Sequence, residues 1–348
     1  MKKIMMMLFL SCSGIGACAQ ISNPDSLNNA VAAYVQSANQ AADVFLNRQL
    51  STQERLNAIA PFPFIYEDQQ VQQFKRTVLS NEENPEIRAM ALNKIYQYVE
   101  TDERLLNQVI QWFGNPETPK PLRNETLSLI GNLSFSSLAA QLDVYNKMVE
   151  DPDLNFRAFA VSKLILGGDA RAQLLLIRGL ENPASALFPA PQAIELLALS
   201  PKKEFYPAVY KVLLESKDEA TRLTALQTLG AYKPAREKIA SISRDPNEKE
   251  EFRESALMAL YSGDRDNIVQ YVTPILQDKS ASSRLQALGI QMSLDIRRSM
   301  AYRRSKKARK ADAFDLLVKD IYERKGVNKS DDLVNGANKY LLIVKPNF

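Results

Sequence analysis

Histidine is absent from all 348 residues. That absence removes the side chain whose ordinary pKa lies near neutrality, and with it His general bases, His-activated nucleophiles and most zinc sites. Cysteine occurs only at Cys12 and Cys18, both within the first twenty positions, so the rest of the chain has neither a disulfide framework nor a catalytic thiol. No GxGxxG or GxxxxGK[ST] is present, which leaves a nucleotide cradle without a motif. No segment approaches the run of about eighteen apolar residues that a membrane-spanning helix needs. Carboxylate chemistry alone stays open, because the chain carries 40 acids.

With 45% hydrophobic and 24% charged residues, the composition is that of an ordinary packed chain. The start, "MKKIMMMLFLSCSGIGACAQ", runs from Lys2 and Lys3 through an apolar stretch to small residues, the order of a secretory signal. Two processing sites are consistent with it. Ala17-Cys18-Ala19 fits removal of residues 1–19. Ile15-Gly16-Ala17-Cys18 resembles a lipobox, with residues 1–17 removed and Cys18 lipid-attached. Either predicts export from the cytoplasm, to a periplasmic or lipid-anchored place in a bacterial cell envelope.

A template recurs along the chain: Arg, two residues, Ala, an aliphatic, two residues, and in most copies a second aliphatic. It reads "RLNAIAPF" from Arg55, "RAMALNKI" from Arg88, "RNETLSLI" from Arg123 and "RAFAVSKL" from Arg157. It continues as "APQAIELL" from Ala190, "RLTALQTL" from Arg222, "RESALMAL" from Arg253 and "RLQALGIQ" from Arg284. The spacings are 33, 35, 34, 33, 32, 31 and 31, and a period in this range indicates stacked repeats. Upstream of each template lies a second apolar stretch at helical spacing, such as "ERLLNQVIQWF" and "EFYPAVYKVLLE". The unit is therefore helix–turn–helix.

Positions zero, three, four and seven of the template share one helix face. The Ala admits a neighbouring helix closely, and the aliphatics fill the layer between units. An Arg on that face needs an acceptor, since an unpaired buried charge is costly. Six residues before it, in the turn, stand Glu82, Glu117, Asp151 and Asp278 in four repeats. A ladder follows, with Arg55, Arg88, Arg123, Arg157, Arg222, Arg253 and Arg284 bound to turn acids and carbonyls of their own or adjacent units.

This pattern resembles HEAT repeats of the armadillo type, in the short, Ala-rich form of phycobilin-lyase-type proteins. The resemblance covers about residues 45–296. It implies an all-α, right-handed α–α superhelix of about seven to eight helix pairs, and it implies no particular activity. The expected organisation is an N-terminal helical cap over 20–63, the solenoid over 64–296, a basic segment over 297–310 and a helical C-terminal cap over 311–348.

Pro61 and Pro63 should end the first repeat's helix early. "RRSMAYRRSKKARK" holds eight basic residues and no acid, and Arg303, Lys306, Lys307 and Lys310 would share a face if it were helical. Such a face suits an anionic membrane surface. "DPDLN" opens like a calcium loop but has Phe156 and Ser162 where Gly and Glu are required, so no metal is expected.

If the second helices line a concave side, as in HEAT arrays, offsets two and five from the Arg face a groove. Met90, Glu125, Phe159, Gln192, Thr224 and Met258 are the candidate contacts. None of these positions is Lys or Arg, which argues against nucleic acid. The expectation is a non-enzymatic scaffold or adaptor without cofactor, binding another envelope protein or peptide. The alternative is a carboxylate-dependent enzyme on cell-wall or extracellular carbohydrate.

Overall fold

The computed structural model describes residues 24–65, 67–131, 138–303, 310–325 and 331–348. Among these the chain is all-helical, with eighteen α-helices, short 3-10 turns and no strand beyond one isolated parallel bridge between Lys310 and Asn347. The described residues gather into two compact units, divided between Phe156 and Arg157.

The first unit holds α1 (Pro24–Leu46), α2 (Thr52–Ile59), α3 (Asp68–Leu79), α4 (Pro85–Lys94), α5 (Glu103–Gly114), α6 (Lys120–Ile130) and α7 (Leu138–Lys147). Local chemistry sets the ends. Ser51 and Glu54 form a reciprocal capping box at the start of α2. That helix stops at Ile59, just ahead of Pro61 and Pro63. Asn84 caps α4 with Pro85 in its first turn, and Asp102 caps α5 while pairing with Lys75 at 2.7 Å. Packing alternates: α1 meets α2 and α3, α4 meets α3 and α6, and α5 meets α6 and α7. Phe45 stacks on Phe74 at 4.9 Å and Phe113 lies 5.9 Å from Phe156, all four fully buried.

Helix α8 (Leu154–Leu166) crosses the division between Phe156 and Arg157. The second unit continues with α9 (Ala170–Glu181), α10 (Ala190–Ala198), α11 (Tyr206–Glu215), α12 (Glu219–Thr228), α13 (Arg236–Arg244), α14 (Glu250–Gly263), α15 (Ile268–Gln277) and α16 (Ser283–Arg303). It ends with α17 (Ala313–Lys325) and α18 (Asp332–Val344). The same alternation holds here, with α10, α12, α14, α16 and α18 packed in succession and α9, α11, α13, α15 and α17 beside them. The two C-terminal helices thus pack as one more hairpin.

Template positions are buried as the 3.6-residue period requires. Ala91, Leu92 and Ile95 are inaccessible to solvent, as are Ala225, Leu226 and Leu229, and Ala256, Leu257 and Leu260. The tightest approach in the second unit joins two glycines. A Cβ on Gly263 would stand 1.6 Å from the Gly230 carbonyl oxygen, and one on Gly230 would meet the Ala259 carbonyl at 2.4 Å. Only glycine allows that backbone contact.

Candidate functional site

The template arginines carry the first set of interactions. Arg55, Arg88, Arg123 and Arg253 each donate Nε–H to the backbone carbonyl ten residues upstream: Phe45 at 2.6 Å, Val78 at 3.0 Å, Phe113 at 3.1 Å and Ser243 at 3.2 Å. Each acceptor is the penultimate residue of the preceding helix, where carbonyls have no intrahelical donor and partial negative charge collects. The guanidinium is therefore a C-terminal cap for its own helix pair.

Its terminal nitrogens reach forward. Arg55 grips Glu83 through both, at 3.0 Å each, and Arg123 grips Asp151 in the same two-pronged way. Arg222 donates to Glu248 at 3.0 Å, Arg253 to Asp278 at 3.4 Å, and Arg157 to the Leu187 carbonyl at 2.5 Å. The acid before a given Arg thus serves the Arg of the preceding repeat. Asp151 and Asp278 are used so, Glu83 takes the place expected of Glu82, and Glu117 is exposed. Rings complete several rungs: Arg123 lies 3.9 Å from the Phe156 centroid, Arg222 4.7 Å from Phe252 and Arg157 5.7 Å from Phe188. Burial works against ionisation of Glu83, but the hydrogen bonds from Arg55 and the Asn84 amide hold it below the usual carboxylate range.

Arg284 departs from the ladder. Its side chain is 80% exposed and turns back to Glu254, Nη2 to Oε2 at 3.0 Å. Gln286 takes the buried place instead, donating to the carbonyls of Ile275 at 3.4 Å and Asp278 at 3.0 Å. Gly289 and Ile290 then fill the small and aliphatic positions. The last repeat is shifted by two residues, which brings its spacing from Arg253 to 33. Helix α18 packs on α16 beside Ala287 and Leu288, which are half-buried.

A further rung was not legible as template. Arg236, in the first helix of its pair, meets Asp264 at 3.2 Å and the Gly263 carbonyl at 2.9 Å. Its separation of 28 residues from Asp264 equals that of Arg55 from Glu83 and of Arg123 from Asp151, a signal the sequence contained.

The candidate contact residues fall in both units. In the first, Met90 and Glu125 are half-buried, and Glu125 accepts from Asn93 at 2.9 Å. Lys94 is buried beside them; burial pushes its amine down and Glu125 opposes that shift. In the second, Phe159, Gln192 and Thr224 are half-buried, with Lys163 5.1 Å from the Phe159 ring and Thr224 donating to the Ala220 carbonyl at 2.9 Å. Met258 stands out at 56% exposure. Ser255, at an equivalent offset, is buried.

Met258 lines a concavity. A depression of about 520 Å³ is walled by three helices, with Glu254 and Met258 from α14, Arg284 and Leu288 from α16, and Gly336 and Lys339 from α18. These positions recur at helical spacing, and Ala287 and Gly336 are small enough to leave the dip. A thioether and a leucine offer apolar contact, while Lys339, Asp332, Asn335 and Gln291 supply polar groups around them. Chemically the depression suits an apolar side chain of a partner with polar groups on either side of it.

Lys310 is exposed and lies in the bridge to Asn347, so the expected helical face through Arg303, Lys306, Lys307 and Lys310 does not extend to it. Helix α16 ends at Arg303; Lys306, Lys307 and the N-terminal segment with Cys18 lie outside the described residues. Arg297, from the same basic stretch, is held by Asp312 at 2.7 Å. Among the described residues no helix is long and apolar enough to cross a membrane, and no group of three or more Cys, Asp or Glu side chains is placed to hold a metal. No family model matches this chain, nor does any curated protein or solved structure.

Proposed function

We propose that the chain is an exported HEAT-type repeat scaffold, a superhelical array of helix pairs, that binds another envelope protein or peptide on its second-helix faces without catalysing a reaction. The observation that carries this reading is the repeated rung, a template Arg capping its own helix pair and reaching the next repeat's turn. Such a device serves stacking, and stacked repeats work through their extended surfaces. The most withdrawn acids are engaged in the same framework: Glu83 and Asp151 in rungs, and Asp315 as acceptor for the Tyr340 hydroxyl at 2.7 Å. The exposed Met258 in its concavity is the best placed contact, with Phe159 and Met90 next. Export, and attachment through Cys18 if it is lipidated, rest on the N-terminal sequence.

Photo-crosslinking residues placed at Met258, Phe159 and Met90 in the native cell test this, with the exposed outer-helix positions Leu174 and Leu214 as controls. One partner captured from the first three and not from the controls supports the scaffold, and Met258→Glu should release it. Identical captures from every position, or turnover of a wall-glycan panel by the purified protein, would overturn it.

A further inference from the structure

The second rung of the ladder lacks its carboxylate. Arg88 makes the same carbonyl bond as its neighbours, Nε to Val78 at 3.0 Å, and its helix α4 packs on α6. Twenty-eight residues on, where Glu83 answers Arg55 and Asp151 answers Arg123, stands Pro116. The adjacent Glu117 is exposed, its amide spent on Asn115 Oδ1 at 3.0 Å. Arg88 is only 5% exposed and its Nη2 makes no hydrogen bond to the protein. In that same turn Thr118 is 7% exposed, and its hydroxyl also has no protein partner. Pro119, at the N-cap of α6, supplies no side-chain acceptor to the first-turn amides. Thr118 precedes Arg123 by five residues as Glu83 precedes Arg88, so by the register of the neighbouring rungs a cation, a hydroxyl donor and a helix N-terminus fall where those rungs place a carboxylate. The Trp112 ring, 5.1 Å from the guanidinium, covers the cation on another side.

We propose that Arg88, Thr118 and the N-terminus of α6 form a buried site for a small monovalent inorganic anion, chloride under ordinary salt. It would complete the rung by standing where the carboxylates of Glu83 and Asp151 stand in theirs.

Thermal unfolding of the full chain at constant ionic strength tests this, chloride being exchanged for gluconate, which is too large for a buried place. Wild type should gain about 2 °C at chloride ten times above its Kd, the gain growing with the logarithm of chloride concentration beyond that. Arg88→Met should abolish the shift, Thr118→Val should weaken it, and Arg284→Met, at an exposed cation, should leave it intact. Bromide-soaked crystals should show an anomalous peak beside Arg88 Nη2. The site is refuted if Arg88→Met keeps the chloride shift, or if the bromide map shows no peak there and an ordinary water instead. Should Arg88→Met fail to fold, Thr118→Val and the bromide map decide.

Discussion

A guanidinium taken out of water must find both hydrogen-bond acceptors and a counter-charge, and the rungs differ in how completely they supply them. Arg123 and Asp151 are a fully withdrawn pair, with side chains 5% and 2% exposed. Arg123→Leu should therefore cost about 3–5 kcal/mol, because it strands Asp151 without its cation. Arg157 is part-buried and donates to a carbonyl, so Arg157→Leu should cost about 1–3 kcal/mol. Arg284→Leu, at an exposed position, should fall within about 0.5 kcal/mol. Urea unfolding midpoints of the three variants check the order. Equal losses would mean that the arginines act alike whatever their acceptors.

Element ends and crossings carry the next layer of specificity. The α12 end and the α14 end meet through Gly230 and Gly263 with no room for a methyl group, so Gly263→Ala should destabilise by about 1–3 kcal/mol through forced backbone movement. Gly336, inside α18, would place its Cβ 3.9 Å from Ile290, an ordinary contact. Gly336→Ala should then stabilise by about 0.5–1 kcal/mol, by lowering the entropy of the unfolded chain and favouring the helix. Thermal melts of the two variants should move in opposite directions.

For the molecule as a whole, the missing histidine and the committed acids shape the response to pH. Among the described residues six carboxyls are held low, Glu54 by Ser51 and Asp218 by Thr221 among them. Lys75 does so for Asp102, and the Ser280 hydroxyl and amide do so for Asp278. For Glu83 and Asp264 burial opposes ionisation but is outweighed, by Arg55 at the former and by Tyr271, Asn267 and Arg236 at the latter. Below about pH 4 the unfolded chain binds protons that the folded chain refuses, so stability present above that value is lost as pH falls through the depressed folded pKa values. Tyr271 is pushed up to about 12 by burial and by Asp264, so its contribution is lost as pH rises from about 10. Between pH 5 and 8 the urea midpoint should stay flat, because no side chain of ordinary pKa titrates there. Arg55→Met should make the acid limb shallower by releasing Glu83.

The sequence by itself determined the helical hairpin unit, its period and, the last repeat apart, the face its second helices bury. Those properties follow from local spacing: Arg, Ala and aliphatics at offsets zero, three, four and seven lie on one side of a helix wherever they occur. It also marked the template arginines as bonded to turns, since a charge on an apolar face admits few other fates, but Arg284 is exposed and pairs with Glu254 instead. Which acid answers which Arg was decided only in three dimensions, because Asp151 is near Arg157 in sequence yet binds Arg123 one repeat earlier. The last register was decided there too. "RLQALGIQ" fits the template from Arg284, but α16 has apolar residues on two faces. In the packed structure Gln286, not Arg284, stands at the buried carbonyls, and α18 packs on the same helix. The concavity at Met258 likewise arises where three helices meet, and no single helix encodes it.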